Sequence, residues 1–183
     1  MLQWDEVSQL CVMKPVLETS RLMLLPFTVT DTDLLYDTLT NPFVRKYLMD
    51  DEVISYEKAK EFILINEIQF EEKSCGLWKI MIKETDAFAG FAGMWAFFNE
   101  EQPQLLYGLL PANLKNGYAT EASKAVVDYV FTSLEFSYLI AACDMPNTDS
   151  KKVCGRLNMA EFEQKEINGN KTSFYRLEKA RRT

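Results

Sequence analysis

Residues 109–122 read Leu-Leu-Pro-Ala-Asn-Leu-Lys-Asn-Gly-Tyr-Ala-Thr-Glu-Ala. An apolar run that stops at Pro111 ends as a strand ends, because proline has no amide to give a ladder. Gly117 then opens a stretch apolar at Ala119, Ala122, Val126, Tyr129 and Val130, and this spacing predicts a helix over residues 117–132. A helix N-terminus offers unpaired amides and the positive end of its dipole, so it can seat a phosphate without a metal. Gly117 lets the backbone come close, Ala119 keeps the first turn small, and Lys115 adds charge. The same residues also fit an ordinary turn before a core helix, so the neighbouring segments must decide.

Upstream, Gln104 to Leu110 closes a meander that begins where Trp78, Ile80 and Ile82 alternate with Lys79 and Lys83, and continues through Ala87 to Trp95. Before it come the strand Arg21-Leu22-Met23-Leu24-Leu25, a helix opened by the box-like Thr30-Asp31-Thr32-Asp33 and stopped at Asn41-Pro42, and a second helix from near Ser55 with Gly76 as its cap. Downstream, a buried-looking strand from Tyr138 to Cys143 precedes a short helix near Ser150, and Asn168-Gly169 marks a hairpin. This order predicts a single α/β domain of the α+β type, with a mixed, mostly antiparallel sheet, one parallel crossover and about four helices. Residues 1–16 read as an N-terminal extension, with Trp4, Val7, Leu10 and Cys11 at helical spacing, and residues 17–183 as the domain.

The 183 residues are 48% hydrophobic, enough for one full core, and carry a formal net charge of -7. Surplus acid argues against a nucleic-acid binder, which needs Lys and Arg to displace counterions. No run approaches the roughly twenty apolar residues of a membrane span. Asp5 and Glu6 stand where a signal peptide would carry cations, so a cytoplasmic protein with no membrane partner is expected. The absence of histidine removes Ser-His-Asp and Cys-His nucleophile systems and the commonest zinc ligand, so no metal is expected. The chemistry must come from carboxylates, hydroxyls, backbone amides or a cofactor. The four cysteines form no CxxC pair and read as buried thiols.

Leu114-Lys115-Asn116-Gly117-Tyr118-Ala119 resembles motif A of the Gcn5-related N-acetyltransferases, Q/R-x-x-G-x-G/A. The run Gly117 to Ala122 is similar to the G-Y-A-T-E-A of the subgroup that acetylates ribosomal-protein N-termini. Three segments agree in order: Leu17-Glu18-Thr19-Ser20-Arg21-Leu22-Met23-Leu24 with the opening strand, Tyr107 to Pro111 with the fourth strand, and Asn147-Thr148-Asp149-Ser150 with Arg156-Leu157-Asn158-Met159 with the N-x-x-S helix and closing L-G-F. Asn158 stands where that family has a left-handed Gly, and Asn is the next best residue there. Leu114, Leu106 and Gln104 depart from the pattern, where Gln, Arg or Trp, then Gly, then Glu are usual.

The resemblance implies a sheet splayed between the fourth and fifth strands, with acetyl-CoA as acyl donor in the wedge. Leu109 and Leu110 would bond the pantetheine, and the Leu109 amide would polarise the thioester carbonyl. The pyrophosphate would sit on Asn116, Gly117, Tyr118, Ala119 and Thr120 with Lys115 beside it, and Asn147 would hold the pantetheine or a water. Ser150 would protonate the departing thiolate, although a serine there also fits a helix cap. Glu101 or Glu100 is the candidate base, and either also reads as a solvated turn residue. Phe97 and Phe98 beside them could border a cleft for a cationic amine. The implied acceptor is a protein N-terminus, with a polyamine or other small amine as the alternative and an inactive CoA-binding or protein-interaction module as the alternative of another class. A homodimer is compatible with all of these.

Overall fold

A computed structural model describes residues 14–97 and 103–180. Glu100, Glu101, Phe98, Cys11 and the helical spacing of Trp4 to Cys11 lie outside the described residues. In chain order the elements are β1 (Leu17–Glu18), β2 (Leu22–Pro26), α1 (Thr32–Thr40), α2 (Pro42–Leu48), α3 (Tyr56–Lys73), β3 (Leu77–Ile82), β4 (Ala87–Trp95), β5 (Gln104–Leu109), α4 (Tyr118–Ser133), β6 (Tyr138–Asp144), α5 (Thr148–Arg156), β7 (Ala160–Ile167) and β8 (Asn170–Glu178). The sheet runs β1-β2-β3-β4-β5-β6-β8-β7. Its neighbours pair antiparallel except β5 and β6, which α4 joins as a parallel crossover.

Trp78 and Leu77 are adjacent and both buried, so their side chains point to opposite faces of the sheet. The larger core cluster joins Trp78 to Leu22, Leu24, Val126 and Val130 and to Val153 of α5. Phe70 and Tyr129 clasp the Trp78 ring edge-on, at 4.8 and 5.8 Å between centroids. The smaller cluster gathers Leu77, Phe91 and Phe27, which follows β2, with Leu35, Leu39, Val44 and Ile63 from the first three helices. The Trp78 indole donates to the Pro15 carbonyl at 2.7 Å, which ties the chain before β1 to the sheet.

Several boundaries differ from the sequence reading, each for a local reason. Asn41-Pro42 does stop α1, but it also starts α2. Proline suits the first helical turn, where its missing amide would have no partner, and the Asn41 side chain accepts from the Phe43 amide at 3.0 Å. The left-handed cap of α3 is Ser74, at φ 55°, and not Gly76. Gly76 is small because a Cβ there would lie 2.5 Å from Asn66 Oδ1. The capping box is Thr28 with Asp31. The hairpin reading holds, with Asn168 and Gly169 both at positive φ as a type I′ turn requires, and Asn158 takes the left-handed φ of 58°.

Asp31 also accepts from Lys79 at 2.6 Å. Burial alone would raise its carboxyl, but the Lys79 ammonium and the Thr28 amide and hydroxyl outweigh this and hold it below the ordinary range. A depressed folded-state value gives stability that is present above the unfolded value and lost as the carboxylate protonates. Asp31→Asn is therefore expected to destabilise the protein most near neutral pH, and the two denaturant midpoints should converge as pH falls from the ordinary carboxylate range through the lowered folded-state value. An equal gap at both ends of that range would refute the assignment.

Candidate functional site

β5 and β6 share the single register pair Gln104↔Ile140. Beyond it lies a cavity of about 260 Å³, walled by Leu105 to Leu109, by Ala141 to Asp144 and by the start of α5, with Val44 and Leu48 of α2 across from them. On its other side, at the same level, β5 lies close against β4. Gly90 has φ 142°, and a Cβ there would meet the Gly108 carbonyl oxygen at 2.1 Å. A side chain at position 90 would therefore strike the β5 backbone at the level of Leu109, which faces Gly90 in the ladder.

Strand alternation then sets which groups face the wedge. The Leu110 amide donates to Ala89 O at 3.0 Å, and the Leu110 carbonyl accepts from Asn113 at 2.9 Å. The adjacent Leu109 amide therefore points to the other edge, toward β6, where the ladder has ended. An amide on an open strand edge can hold a developing oxyanion.

On the opposite wall Asn147 caps α5, its Oδ1 accepting from the Ser150 amide at 3.1 Å. Ser150 is thus not the cap. Its hydroxyl lies 2.7 Å from Tyr107 Oη, while the phenol also reaches the Ser150 carbonyl at 3.2 Å. Burial is the main reason the Tyr107 phenol is pushed far above its ordinary value, so it stays protonated. When its one proton goes to Ser150 Oγ, the serine proton is free to be delivered into the cavity. Cys143, on the same wall, accepts from the Cys154 thiol, which lowers the Cys143 value and raises that of Cys154.

The structure brings Leu109, Ala119, Asn147 and Ser150 to this cavity. Lys115, Asn116 and Gly117 form an exposed loop that leads into α4, with Gly117 as its N-cap at φ 81° and Lys115 also left-handed at 64°. Tyr118 and Thr120 lie in the first turn. The Thr120 hydroxyl is buried and has no hydrogen-bond partner among the described residues. An uncapped helix start, a glycine in a conformation only glycine adopts freely and an unpartnered hydroxyl fit a phosphate-bearing ligand. Leu114, out of pattern by sequence, packs against the core and lines the cavity.

Sequence reasoning missed Tyr107, because its role appears only when α5 folds back on β5. It also missed Asp144, a carboxylate on the cavity wall whose Oδ1 accepts from Thr172 Oγ1 at 3.0 Å. At the far side, Asp50 accepts from Asn168 and Asn170 at 3.3 and 3.1 Å and ties the β7–β8 turn to the loop after α2. Groups of three or more residues able to hold a metal ion are absent among the described residues. No helix among them is long and apolar enough to cross a membrane.

Residues 21–160 match the family described as the acetyltransferase (GNAT) domain. The chain is 30% identical to the uncharacterized N-acetyltransferase p20 of Bacillus licheniformis over 150 residues, 81% of this chain and 82% of that protein. It resembles the crystal structure of a GNAT-family acetyltransferase from Bacillus anthracis with a TM-score of 0.75 at 20% identity, covering 90% of this chain and 99% of that one. RimL, a ribosomal L7/L12 alpha-N-protein acetyltransferase solved in complex with coenzyme A, is similar with a TM-score of 0.76 at 15% identity, covering 90% and 98%.

Proposed function

Because the chain belongs to the GNAT family of acetyltransferases, we propose that it transfers the acetyl group of acetyl-CoA to a protein N-terminus by direct attack in a ternary complex. The observation that carries this reading is the open wedge between β5 and β6, with the Leu109 amide on one wall and Ser150 on the other. Acetyl-CoA supplies the activated acyl group, and the chain supplies position and protons. The amides from Asn116 to Thr120 and Lys115 take the pyrophosphate. The Leu109 edge and the Asn147 amide group hold the pantetheine arm, and the Leu109 N–H steadies charge on the carbonyl oxygen as the amine attacks. Ser150, backed by Tyr107, gives its proton to the departing thiolate.

The amine arrives as a cation and must lose a proton. Asp144 on the cavity wall suits the cation, and Glu101 or a chain of waters takes the proton. The same acidity, with the net charge of -7, also fits a polyamine, which is the second reading. Thiol release from acetyl-CoA, measured against N-terminal peptides and polyamines, separates the two. Turnover of peptides but not polyamines is expected. Turnover of polyamines alone would move the acceptor to the second reading, and binding without any turnover would refute the catalytic reading.

Ser150→Ala should lower kcat by about 100-fold with KM for acetyl-CoA little changed, since general-acid help is worth about two orders of magnitude or more. Tyr107→Phe keeps the ring and loses the relay, so a smaller fall in kcat is expected. An Ser150→Ala enzyme with normal kcat would remove the serine from the mechanism.

A further inference from the structure

Glu121 poses a problem for an anion bound at the start of α4. Its carboxylate is in the first turn of that helix, where a fixed negative charge opposes a phosphate on the same amides. The structure answers this charge from a distant part of the chain. Glu121 Oε1 accepts from the hydroxyls of Thr19 and Ser20 at 2.6 and 3.3 Å and from the Arg21 amide at 3.2 Å. Its Oε2 receives Arg21 Nε and Nη2 at 2.8 and 2.5 Å in a two-pronged pair.

A ring contact also holds the guanidinium, and its position beside the loop can be read from Gly117. It lies 4.8 Å from the centre of the Tyr118 ring. It is also the neighbour that a Cβ built on Gly117 would meet, with Nη2 at 3.6 Å. Arg21 thus stands where the loop ends and α4 begins, half exposed, with Glu121 more covered behind it. Burial by itself would raise the Glu121 carboxyl, but the Thr19 and Arg21 hydrogen bonds hold it ionised and below the ordinary range.

We propose that Arg21 is a positioning residue of the donor site, which cancels the Glu121 charge so that a diphosphate ester can settle on the start of α4. This rests on reading residues 116–120 as the pyrophosphate loop. The neutral bonds from Thr19, Ser20 and the Arg21 amide would anchor a glutamine at position 121 nearly as well as a glutamate. What the guanidinium adds is charge, and charge is what the test must isolate.

The test measures coenzyme A affinity by calorimetry at low salt for the full chain, with melting temperature as the fold control. Arg21→Gln should bind about 10-fold more weakly, the scale of one unscreened charge several ångströms away. Glu121→Gln should bind somewhat more tightly, and the Arg21→Gln, Glu121→Gln double variant should return to within about threefold of wild type, although its ion pair is gone. A simple structural clamp predicts the reverse, with the double variant no better than Arg21→Gln, and that result would overturn the proposal. If Arg21→Gln fails to fold, Arg21→Lys keeps the charge and loses the fork. It should then hold affinity within about threefold, and a larger loss would count against the charge argument. Gly117→Glu separates this inference from the one beneath it. If it leaves affinity unchanged, the loop assignment fails. If it abolishes binding while Arg21→Gln has no effect, only the role of Arg21 fails.

Discussion

Gly117→Glu is expected to weaken coenzyme A binding by at least about 100-fold while the protein stays folded. Gly117 is the N-cap of α4 and has φ 81°, so any other residue there costs about 1–2 kcal/mol of backbone strain. Space is not the obstacle, because the one neighbour within reach of a Cβ is the end of the Arg21 side chain at 3.6 Å, an ordinary contact distance. The fold should therefore survive with a modestly lowered melting temperature. The function should not, for two reasons that act together. The new carboxylate brings a negative charge to the place the pyrophosphate needs, and its oxygens can accept from the same first-turn amides and occupy them. Gly117→Ala is the control that carries the strain without the charge, and it should lose far less affinity. Calorimetric titration of coenzyme A into both variants decides the matter: equal, small losses would show that the loop does not hold phosphate.

The parts of this fold legible in the sequence are those decided within a few residues. The alternation of Trp78 and Ile80, the Asn168-Gly169 turn and the left-handed Asn158 depend on local backbone preference, and the structure shows each of them. Local signals failed where one residue can serve two ends. Pro42 read as a stop, yet it opens α2, because a helix end and a helix start use the same Asn-Pro pair differently. Gly76 read as a cap, yet its smallness answers to Asn66 and Phe70 packed against it.

The candidate site divides along the same line. The half to which the proposed function assigns the phosphate is one contiguous loop, so a motif could single it out from sequence alone. The polar half depends on pairs distant in sequence: Tyr107 with Ser150, and Arg21 with Glu121. Nothing in either member of those pairs announces the other. Asp144 escaped for a different reason, since the end of a buried strand reads as core until a cavity is found beside it.

The largest effect on the fold itself is expected from Gly90→Ala, which should lower stability by about 3–5 kcal/mol and abolish acetyl transfer together. At φ 142° a residue with a Cβ is strained before any neighbour is considered. The neighbours make it worse, because the added carbon would sit 2.1 Å from the Gly108 carbonyl oxygen and 2.8 Å from Leu109 Cα. Both are backbone atoms in the middle of the sheet, so no side-chain rotation relieves the contact. Relief requires β5 to move away from β4, and such a shift carries the Leu109 amide with it. That amide is the one to which the proposed mechanism assigns the oxyanion, so stability and activity are expected to fall together. Guanidinium unfolding should show the midpoint shifted down, and thiol release from acetyl-CoA should fall even at temperatures where Gly90→Ala remains folded. A variant that unfolds earlier yet turns over normally when folded would show that β5 can shift without moving the Leu109 amide, or that this amide is not needed for transfer.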